Sequence, residues 1–157
     1  MPVGRAKASI TVPGRAADAE ALWYDPHRWQ AWVDGFGHVV SMEGEWPRRG
    51  AELVWQSPPG GRGRVTERVV EYEMRLGQTL EVEDATMTGR QSVAFAPGPD
   101  EVEVTLRLEY RIKDRTPFTP VVDLLFVRRA MADALRRAVT RFANERKAEI
   151  QFGSDPR

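Results

Sequence analysis

Three side chains in the sequence could carry acid–base chemistry: Glu67, His38 and Tyr110. A carboxyl, an imidazole and a phenol can each move a proton to or from a bound molecule when their surroundings tune the pKa. That tuning requires enclosure, so the question is which of the three the fold turns inward. The alternation of apolar and polar residues along the predicted strands gives the first answer.

Glu67 lies between Val65 and Val69 in an alternating segment. If those valines face inward, the carboxyl group does too, and burial would raise its pKa and make it an acid or a base. The alternative is a β-bulge that turns Val70 and Tyr72 inward and leaves Glu67 in solvent. The sequence favours this second interpretation.

The other polar candidates also have two interpretations each. His38 alternates in phase with Val40 and Met42, which predicts a position at the mouth of an enclosed space, although a lone histidine is more often structural. Tyr110 is predicted inward, where its phenol could donate to a carbonyl ligand, but a core tyrosine is the favoured interpretation. Arg128 borders the apolar stripe of a helix and either reaches inward to an acidic headgroup or lies solvated at the rim.

Other reactive groups are scarce. The chain has no cysteine and only two histidines, His27 and His38, which excludes a thiolate site and makes a histidine-built metal cage improbable. The motifs of serine hydrolases, zinc peptidases and P-loop proteins are absent, and the glycine-rich loop at 60–63 precedes no helix. We therefore expect no cofactor and no metal.

Composition favours a single domain over residues 1–157, with a flexible tail from about residue 151. The 157 residues carry 23 basic and 23 acidic side chains, so the charge balance gives no reason to expect nucleic acid. The sequence lacks both an apolar run of the roughly 20 residues that span a membrane and the apolar stretch of a signal peptide. These features predict a cytoplasmic protein without integral membrane association.

Short alternating segments separated by glycine and proline predict an antiparallel sheet. The first strand spans about 7–12, and helix-forming residues follow at 16–24. Asp25-Pro26 then provides the N-cap and first position of a second short helix that runs through Val33. Six further strands are predicted at 38–42, 51–55, 64–72, 79–83, 91–96 and 102–112.

The period changes to that of a helix from about Val121 to Ile150, after Thr119-Pro120. This helix would be about 45 Å long and must therefore cross the whole domain. Its apolar stripe can be covered only by the concave face of the sheet. The stripe consists of Leu124, Val127, Met131, Leu135, Ala138 and Phe142.

The element order and three stretches of sequence resemble the START-like superfamily, also called SRPBCC or helix-grip proteins, which includes polyketide cyclase/dehydrase and lipid-transport families. The stretches are ITVPGRAADAEALWYDPHRWQAW, RVTERVVEYEMRLGQTLEVE and FTPVVDLLFVRRAMADALRRAVTRFANERKAE. The resemblance covers nearly the whole chain. It implies an α+β helix-grip fold, in which a curved antiparallel sheet of about seven strands wraps around a long C-terminal helix, with two short helices after the first strand.

The resemblance also implies a cavity between the sheet and the long helix that receives an apolar or amphipathic small molecule. The alternative is a solid core built from the same residues. Strand parity and helix phase supply the candidate ligand-binding residues. They are Trp32, Phe36, Val40, Trp55, Val69, Val82, Phe95, Val104, Leu106, Leu108, Met131 and Leu135.

Three hypotheses of function follow. The first is binding or transport of a hydrophobic, lipid- or polyketide-like molecule. The second is a polyketide cyclase- or aromatase-like enzyme, with Glu67, His38 and Tyr110 as acid–base candidates. The third is a protein-interaction module, which a stable oligomer through Phe118 and Phe126 would support; these two residues could instead form an entrance lip or pack on the loop before the long helix. We expect a monomer or a homodimer.

Overall fold

The computed structural model describes residues 3–113 and 121–153, and for residues 121–125 and 153 it describes only the helical backbone. Phe118, Thr119, Pro120 and the last four residues of the predicted tail lie outside this range, as does the side chain of Leu124. Seven strands and three α-helices are described, with a short 3₁₀-helix, Pro26–Arg28, immediately before the second α-helix. The strands are β1 (Gly4–Pro13), β2 (His38–Glu43), β3 (Glu52–Gln56), β4 (Arg64–Glu73), β5 (Gly77–Glu83), β6 (Met87–Pro97) and β7 (Glu101–Ile112), and the helices are α1 (Ala16–Trp23), α2 (Trp29–Trp32) and α3 (Val121–Gly153).

The strands form one curved antiparallel sheet in the order β1-β7-β6-β5-β4-β3-β2. Each strand from β2 onward pairs with the next in the chain because the short connections permit only antiparallel neighbours, and β1 closes the order beside β7. The three helices cover one face, which we call the inner face. The predicted α+β helix-grip fold is confirmed.

The alternation along β7 determines which residues face inward. Val102, Val104, Leu106, Leu108 and Tyr110 are buried, while the charged residues between them are exposed. The register extends this division across the sheet, because residues paired on neighbouring strands point to the same face. The core therefore lies between this apolar inner face and the helices.

Two bulges, one in β2 and one in β4, determine where the inward parity of the strands shifts. In β2 the register shifts between Val39 and Ser41, so that Val39 and not His38 pairs with the inward Trp55. His38 pairs with Gln56 on the outer face and is exposed, and Val40 at the bulge is 41% exposed. The predicted inward positions of His38 and Val40 are therefore wrong.

The second bulge lies in β4, between Val69 and Glu71. It comes after Glu67 along the strand, so Val65, Glu67 and Val69 all keep the inward parity and are buried. The favoured interpretation is right that β4 contains a bulge and that Tyr72 packs against the core, but it is wrong in leaving Glu67 in solvent, because the bulge comes after Glu67 and not before it.

The long helix α3 packs mainly along β1. Its buried side chains are Leu135, Val139, Phe142, Ala143 and Arg146. The predicted stripe is buried at Leu135 and Phe142, and Val127, Met131 and Ala138 are half-buried. The helix continues to Gly153, beyond the predicted end at Ile150.

The short helices are fixed by local and tertiary contacts. The Asp25 carboxylate accepts a hydrogen bond from the His27 backbone N–H at 3.0 Å, which confirms the predicted N-cap. In α1 the buried Glu20 carboxylate accepts from the backbone N–H of Arg75 at 2.8 Å and from its guanidinium. Arg75 has a φ of 68° in the turn between β4 and β5, so this pair anchors that turn to α1.

Candidate functional site

The side chains between α3 and the inner face are of different kinds at the two ends of this region. At one end, which we call the packed end, aromatic rings from the short helices contact α3. Trp23 lies 4.8 Å from Trp32 and 5.0 Å from Phe142 between ring centroids, and Trp32 lies 5.1 Å from Phe142. The packed end comprises Trp23, Tyr24, Trp29, Trp32, Phe36, Phe95 and Phe142, all of them buried.

The connection between β2 and β3 adds to the packed end. The Trp46 indole N–H donates to the Tyr24 carbonyl oxygen at 2.8 Å, and its ring lies 5.9 Å from that of Trp29. Beneath it, Val69 belongs to a small buried cluster with Ala51 and Leu80. Side chains therefore fill this part of the inner face.

Polar and charged groups gather at the other end, which we call the polar end. It comprises Trp55, Arg62, Glu67, Asp84, Tyr110 and Arg128. They come from the end of β3, the connection to β4, β4 itself, the turn after β5, the end of β7 and the first half of α3. Residues 55–67 form one of the stretches of chain that meet here, and Asp84, Tyr110 and Arg128 belong to three others.

Glu67 is the buried acid of the polar end. It is 9% exposed, and its Oε2 has no hydrogen-bond partner among the described residues. Burial raises the pKa of Glu67 to about 7, against the opposing effects of the Arg62 guanidinium and the Trp55 indole. A carboxyl group in this range can donate or accept a proton near neutral pH.

Trp55 and Glu67 are diagonal neighbours on the inner face, since Trp55 pairs with Val65 and Leu53 pairs with Glu67. Nε1 of Trp55 and Oε2 of Glu67 are both buried without a hydrogen bond of normal geometry to the described residues, although the indole N–H is close enough to the carboxyl group to lower the pKa of Glu67. Three other buried atoms are also unpaired: Tyr24 Oη and Trp32 Nε1 lie within the ring contacts of the packed end, and Arg146 Nε belongs to a guanidinium whose other nitrogens pair with Asp18 and Glu149. Only at the polar end do an unpaired donor and an unpaired acid of the described residues stand side by side.

Arg62 lies over this pair. Its guanidinium is 5.5 Å from the Trp55 ring and its Nε donates to Asp84 Oδ2 at 2.9 Å. Asp84 is buried, and although burial raises its pKa, hydrogen bonds from Thr86 and the pair with Arg62 bring the pKa below its usual value. Arg62 is thus held by an ionised carboxylate and places a fixed positive charge near Glu67.

Tyr110 lies on the same cross-strand row as Glu67. The row runs from Glu67 through Val82 and Gly89 to Tyr110, three strand steps or about 14 Å. The phenol leans the other way, over Gly4 of β1, where a Cβ would stand 2.2 Å from the tyrosine ring. The structure therefore brings Glu67 and Tyr110 to one wall but not to one point.

Arg128 on α3 lies close enough to Tyr110 for its charge to act on the phenol. Burial raises the pKa of Tyr110, and the nearby positive charge of Arg128 opposes that rise. Arg128 itself is exposed. The prediction that it borders the apolar stripe is consistent with this placement.

Most of the predicted wall residues are buried at inward positions. Whether they touch a ligand stays a prediction. Met131 is half-buried, and Val40 is the exception described above. The buried ones are Trp32, Phe36, Trp55, Val69, Val82, Phe95, Val104, Leu106, Leu108 and Leu135.

Two residues of the polar end were not candidates from the sequence: Arg62 and Asp84. Arg62 stands in a glycine-rich connection, and no local pattern shows that its guanidinium reaches Trp55 and Asp84. Asp84 does carry a local signal, because its Oδ1 accepts from the backbone N–H groups of Thr86 and Met87 in a turn that favours aspartate. That signal predicts a turn and says nothing of a partner across the fold.

Other surfaces of the molecule give weaker evidence of a binding site. Among the side chains of residues 3–113 and 126–152, no group of three acidic or histidine residues is placed to hold a metal ion. A groove of about 540 Å³ along β4 to β7 is lined mostly by charged and threonine side chains, with Val3, Val82 and Tyr110 among the other lining residues, and this polar lining suits water better than an apolar molecule. Phe126 is 72% exposed on α3. None of the helices described is long and apolar enough to cross a membrane.

Comparison with known proteins gives one family and a shared fold. Residues 4–146 match the profile of the family described as polyketide cyclase / dehydrase and lipid transport. A search of curated protein sequences finds no significant match.

Among solved structures, a START superfamily protein from Mycobacterium smegmatis has a TM-score of 0.71 at 11% identity, covering 92% of this chain and 98% of that one. A Thermus thermophilus protein has a TM-score of 0.70 at 16% identity, covering 96% and 99% of the two chains. A norcoclaurine synthase point mutant from Thalictrum flavum, in complex with a transition-state analogue, has a TM-score of 0.58 at 17% identity, covering 88% and 95%. At these identities the likeness establishes the fold alone.

Proposed function

Because this chain belongs to the polyketide cyclase / dehydrase and lipid transport family, we propose that it binds an apolar small molecule between the inner face of its sheet and the first half of α3. The observation that carries the proposal is the pair of unpaired polar atoms at the polar end, Glu67 Oε2 and Trp55 Nε1. Buried polar groups are normally hydrogen-bonded, and leaving one unpaired costs about 1–3 kcal/mol. The Trp55 indole N–H lies close enough to the Glu67 carboxylate to lower its pKa without reaching normal hydrogen-bond geometry, so a ligand with a polar group on an apolar body would complete the hydrogen bonding of both groups.

The chemistry of the two groups restricts what they would bind. The Trp55 indole can only donate, so it favours a carbonyl or hydroxyl oxygen. Glu67 donates when it is protonated and accepts when it is ionised, and its pKa of about 7 makes both states accessible near neutral pH. The apolar remainder of the ligand would lie against Val82 and the inward side chains of β7.

The first test is native mass spectrometry of the protein purified from its own host. A co-purified small molecule that is released on unfolding would support the proposal. Binding of a neutral apolar dye such as Nile red provides a second readout that needs no knowledge of the natural ligand.

Met131→Trp tests whether the dye binds between α3 and the sheet. Met131 is half-buried on the sheet side of α3, and a larger side chain there should weaken dye binding about tenfold by occupying the site. The matched control is Ala130→Trp, because Ala130 is exposed on the same turn. Absence of both a co-purified molecule and dye binding to the unmodified protein would contradict the proposal.

A second candidate function is catalysis of a polyketide cyclase type, and the raised pKa of Glu67 favours it. The Glu67 carboxylate would remove a proton from the carbon between two carbonyl groups of the substrate. The resulting enolate would attack a distant carbonyl carbon of the same chain, and the protonated Glu67 would return the proton to the new alkoxide. His38 cannot take part in this step, because it lies on the outer face.

The enzyme hypothesis predicts that Glu67→Gln lowers turnover of a poly-β-ketone substrate at least about 100-fold, the usual contribution of such a group. Turnover by the unmodified protein should rise with pH through about 7 as Glu67 ionises. Glu81→Gln is the matched control, since Glu81 is exposed on the neighbouring strand. Unchanged turnover in Glu67→Gln would remove this residue from the mechanism.

A further inference from the structure

We propose that the bound molecule carries a carboxylate and that Arg128 is the residue that pairs with it. The inference rests on the proposed binding function and adds the class of ligand. It comes from the direction of Arg128 on α3, from its lack of a partner among the described residues and from the groups near it.

Arg128 points along the same line of the helix as the buried core residues. At 100° per residue, Arg128 and Arg146 have the same direction, and Leu135 and Val139 lie within about 20° of it. Arg146, Leu135 and Val139 are 6%, 5% and 2% exposed, whereas Arg128 is exposed. The side of α3 that is sealed against the sheet from Leu135 onward is thus accessible at Arg128.

Arg128 has no ion pair or hydrogen bond with the residues that the structure describes. The contrast with the other sheet-facing arginine is direct, because Arg146 pairs with Glu149 at 3.1 Å and with Asp18 at 3.6 Å. Arg62, the other cation of the polar end, is already paired with Asp84 at 2.9 Å. Arg128 therefore remains available to bind an anion.

The groups around Arg128 favour a carboxylate over a neutral headgroup. Tyr110 lies within electrostatic range of the guanidinium, and its phenol could donate a second hydrogen bond to an anion held between the two side chains. Glu67, the buried acid of this wall, lies three strand steps or about 14 Å from Tyr110 along the sheet and so does not compete for Arg128. A ligand with an acidic head at Arg128 and an apolar body of that length would reach the unpaired groups of Glu67 and Trp55.

The test compares a fluorescent fatty acid, dansyl-aminoundecanoic acid, with its methyl ester. Arg128→Gln should weaken binding of the acid about tenfold or more while leaving the ester unchanged, because only the acid gains a charge-assisted pair. Arg129→Gln is the matched control: Arg129 is the next residue, is exposed and faces away from the sheet. It should leave both affinities as they are. Arg128→Lys should restore part of the loss, since it keeps the charge but not the paired N–H donors.

The outcomes separate this inference from the binding function on which it rests. Equal affinity for acid and ester, with no change in Arg128→Gln, would overturn the carboxylate inference and leave apolar binding intact. An equal loss in Arg128→Gln and Arg129→Gln would also overturn it, because it would indicate attraction to the outer surface of α3. If neither probe binds and Nile red and native mass spectrometry are also negative, the binding function itself fails.

Discussion

The packed end and the polar end lie under one continuous helix, yet they have opposite character. At the packed end, Phe142 is fully buried and contacts the rings of Trp23 and Trp32. At the polar end, the equivalent side of α3 presents Arg128, which is exposed. The helix periodicity is the same at both ends, so the difference arises from what lies between α3 and the sheet.

At the packed end, the two short helices lie between α3 and the sheet. α1 and α2 insert aromatic side chains between α3 and β6 at the packed end. At the polar end, loops and turns supply Arg62 and Asp84 instead. The packed end therefore stabilises the fold, whereas the polar end is where we propose that a ligand binds.

The largest expected effect comes from comparing two substitutions on α3, one at the packed end and one a turn from Arg128. Phe142→Ala should lower the free energy of unfolding by about 3–5 kcal/mol, because it leaves a cavity among fixed aromatic rings. Met131→Ala, three turns earlier, should cost less than about 1.5 kcal/mol, because its side chain is only half-buried. Urea denaturation followed by tryptophan fluorescence measures both. Equal costs would mean that the two ends are packed alike.

The next effect is the pH dependence that Glu67, at the polar end, gives to the free energy of unfolding. The pKa of Glu67 is about 7 in the folded protein and about 4.5 ordinarily, so folding takes up a proton between these pH values. The free energy of unfolding should therefore fall as pH rises through this window, by up to about 3 kcal/mol. Below pH 4.5 the contribution is complete, and above pH 7 it is lost.

Glu67→Gln should remove this fall, and Glu81→Gln on the outer face should leave it unchanged. Denaturation at several pH values between about 4 and 8 measures the difference between each variant and the unmodified protein. A Glu67→Gln protein with the same pH dependence as its parent would show that Glu67 is solvated at the polar end.

A smaller effect concerns the charge beside Glu67. Arg62→Gln should raise the pKa of Glu67 further, because the Arg62 guanidinium now lowers it. The same change leaves the buried Asp84 without its ion-pair partner and should cost about 1–2 kcal/mol. Carboxyl-carbon NMR titration measures the pKa, and Arg64→Gln at the exposed start of β4 is the control. An unchanged pKa would mean that Arg62 does not face Glu67 in solution.

The smallest effect is expected on the outer face, which contrasts with both ends. Six charges of alternating sign stand side by side across the strands, and ion pairs join Glu52 to Arg68 at 2.9 Å and Arg5 to Glu109 at 3.2 Å. The full row, in register order, is Glu52, Arg68, Glu81, Arg90, Glu109 and Arg5.

Because these pairs are solvated, Arg90→Gln should cost less than about 1 kcal/mol, and less still in about 1 M salt. Thermal unfolding at low and high salt measures the effect. A cost that matched Phe142→Ala would show that the outer row, and not the packed end, is the main source of stability.

Much of the fold could be predicted from the sequence because the relevant signals are local. The alternation in β7 and the Asp25 cap each depend on neighbours in the chain, and the structure places both as expected. The positions of His38 and Val40 could not be predicted, because a bulge in β2 depends on how β2 pairs with β3. The same limit applies to Glu67, whose burial depended on a bulge at 70 and not before it.

The sequence by itself determined the class of structure: seven strands of period two, a long amphipathic helix and a chain without cysteine or a metal-binding motif. Only the tertiary structure decided which charged groups meet. Arg62 meets Trp55 and Asp84 because the connection between β3 and β4 folds back over the inner face, and the charge of Arg128 reaches Tyr110 because α3 packs against β1 and β7. The physical reason is that periodicity reports the direction of a side chain relative to its own backbone, whereas a binding site depends on distances between segments that only packing fixes.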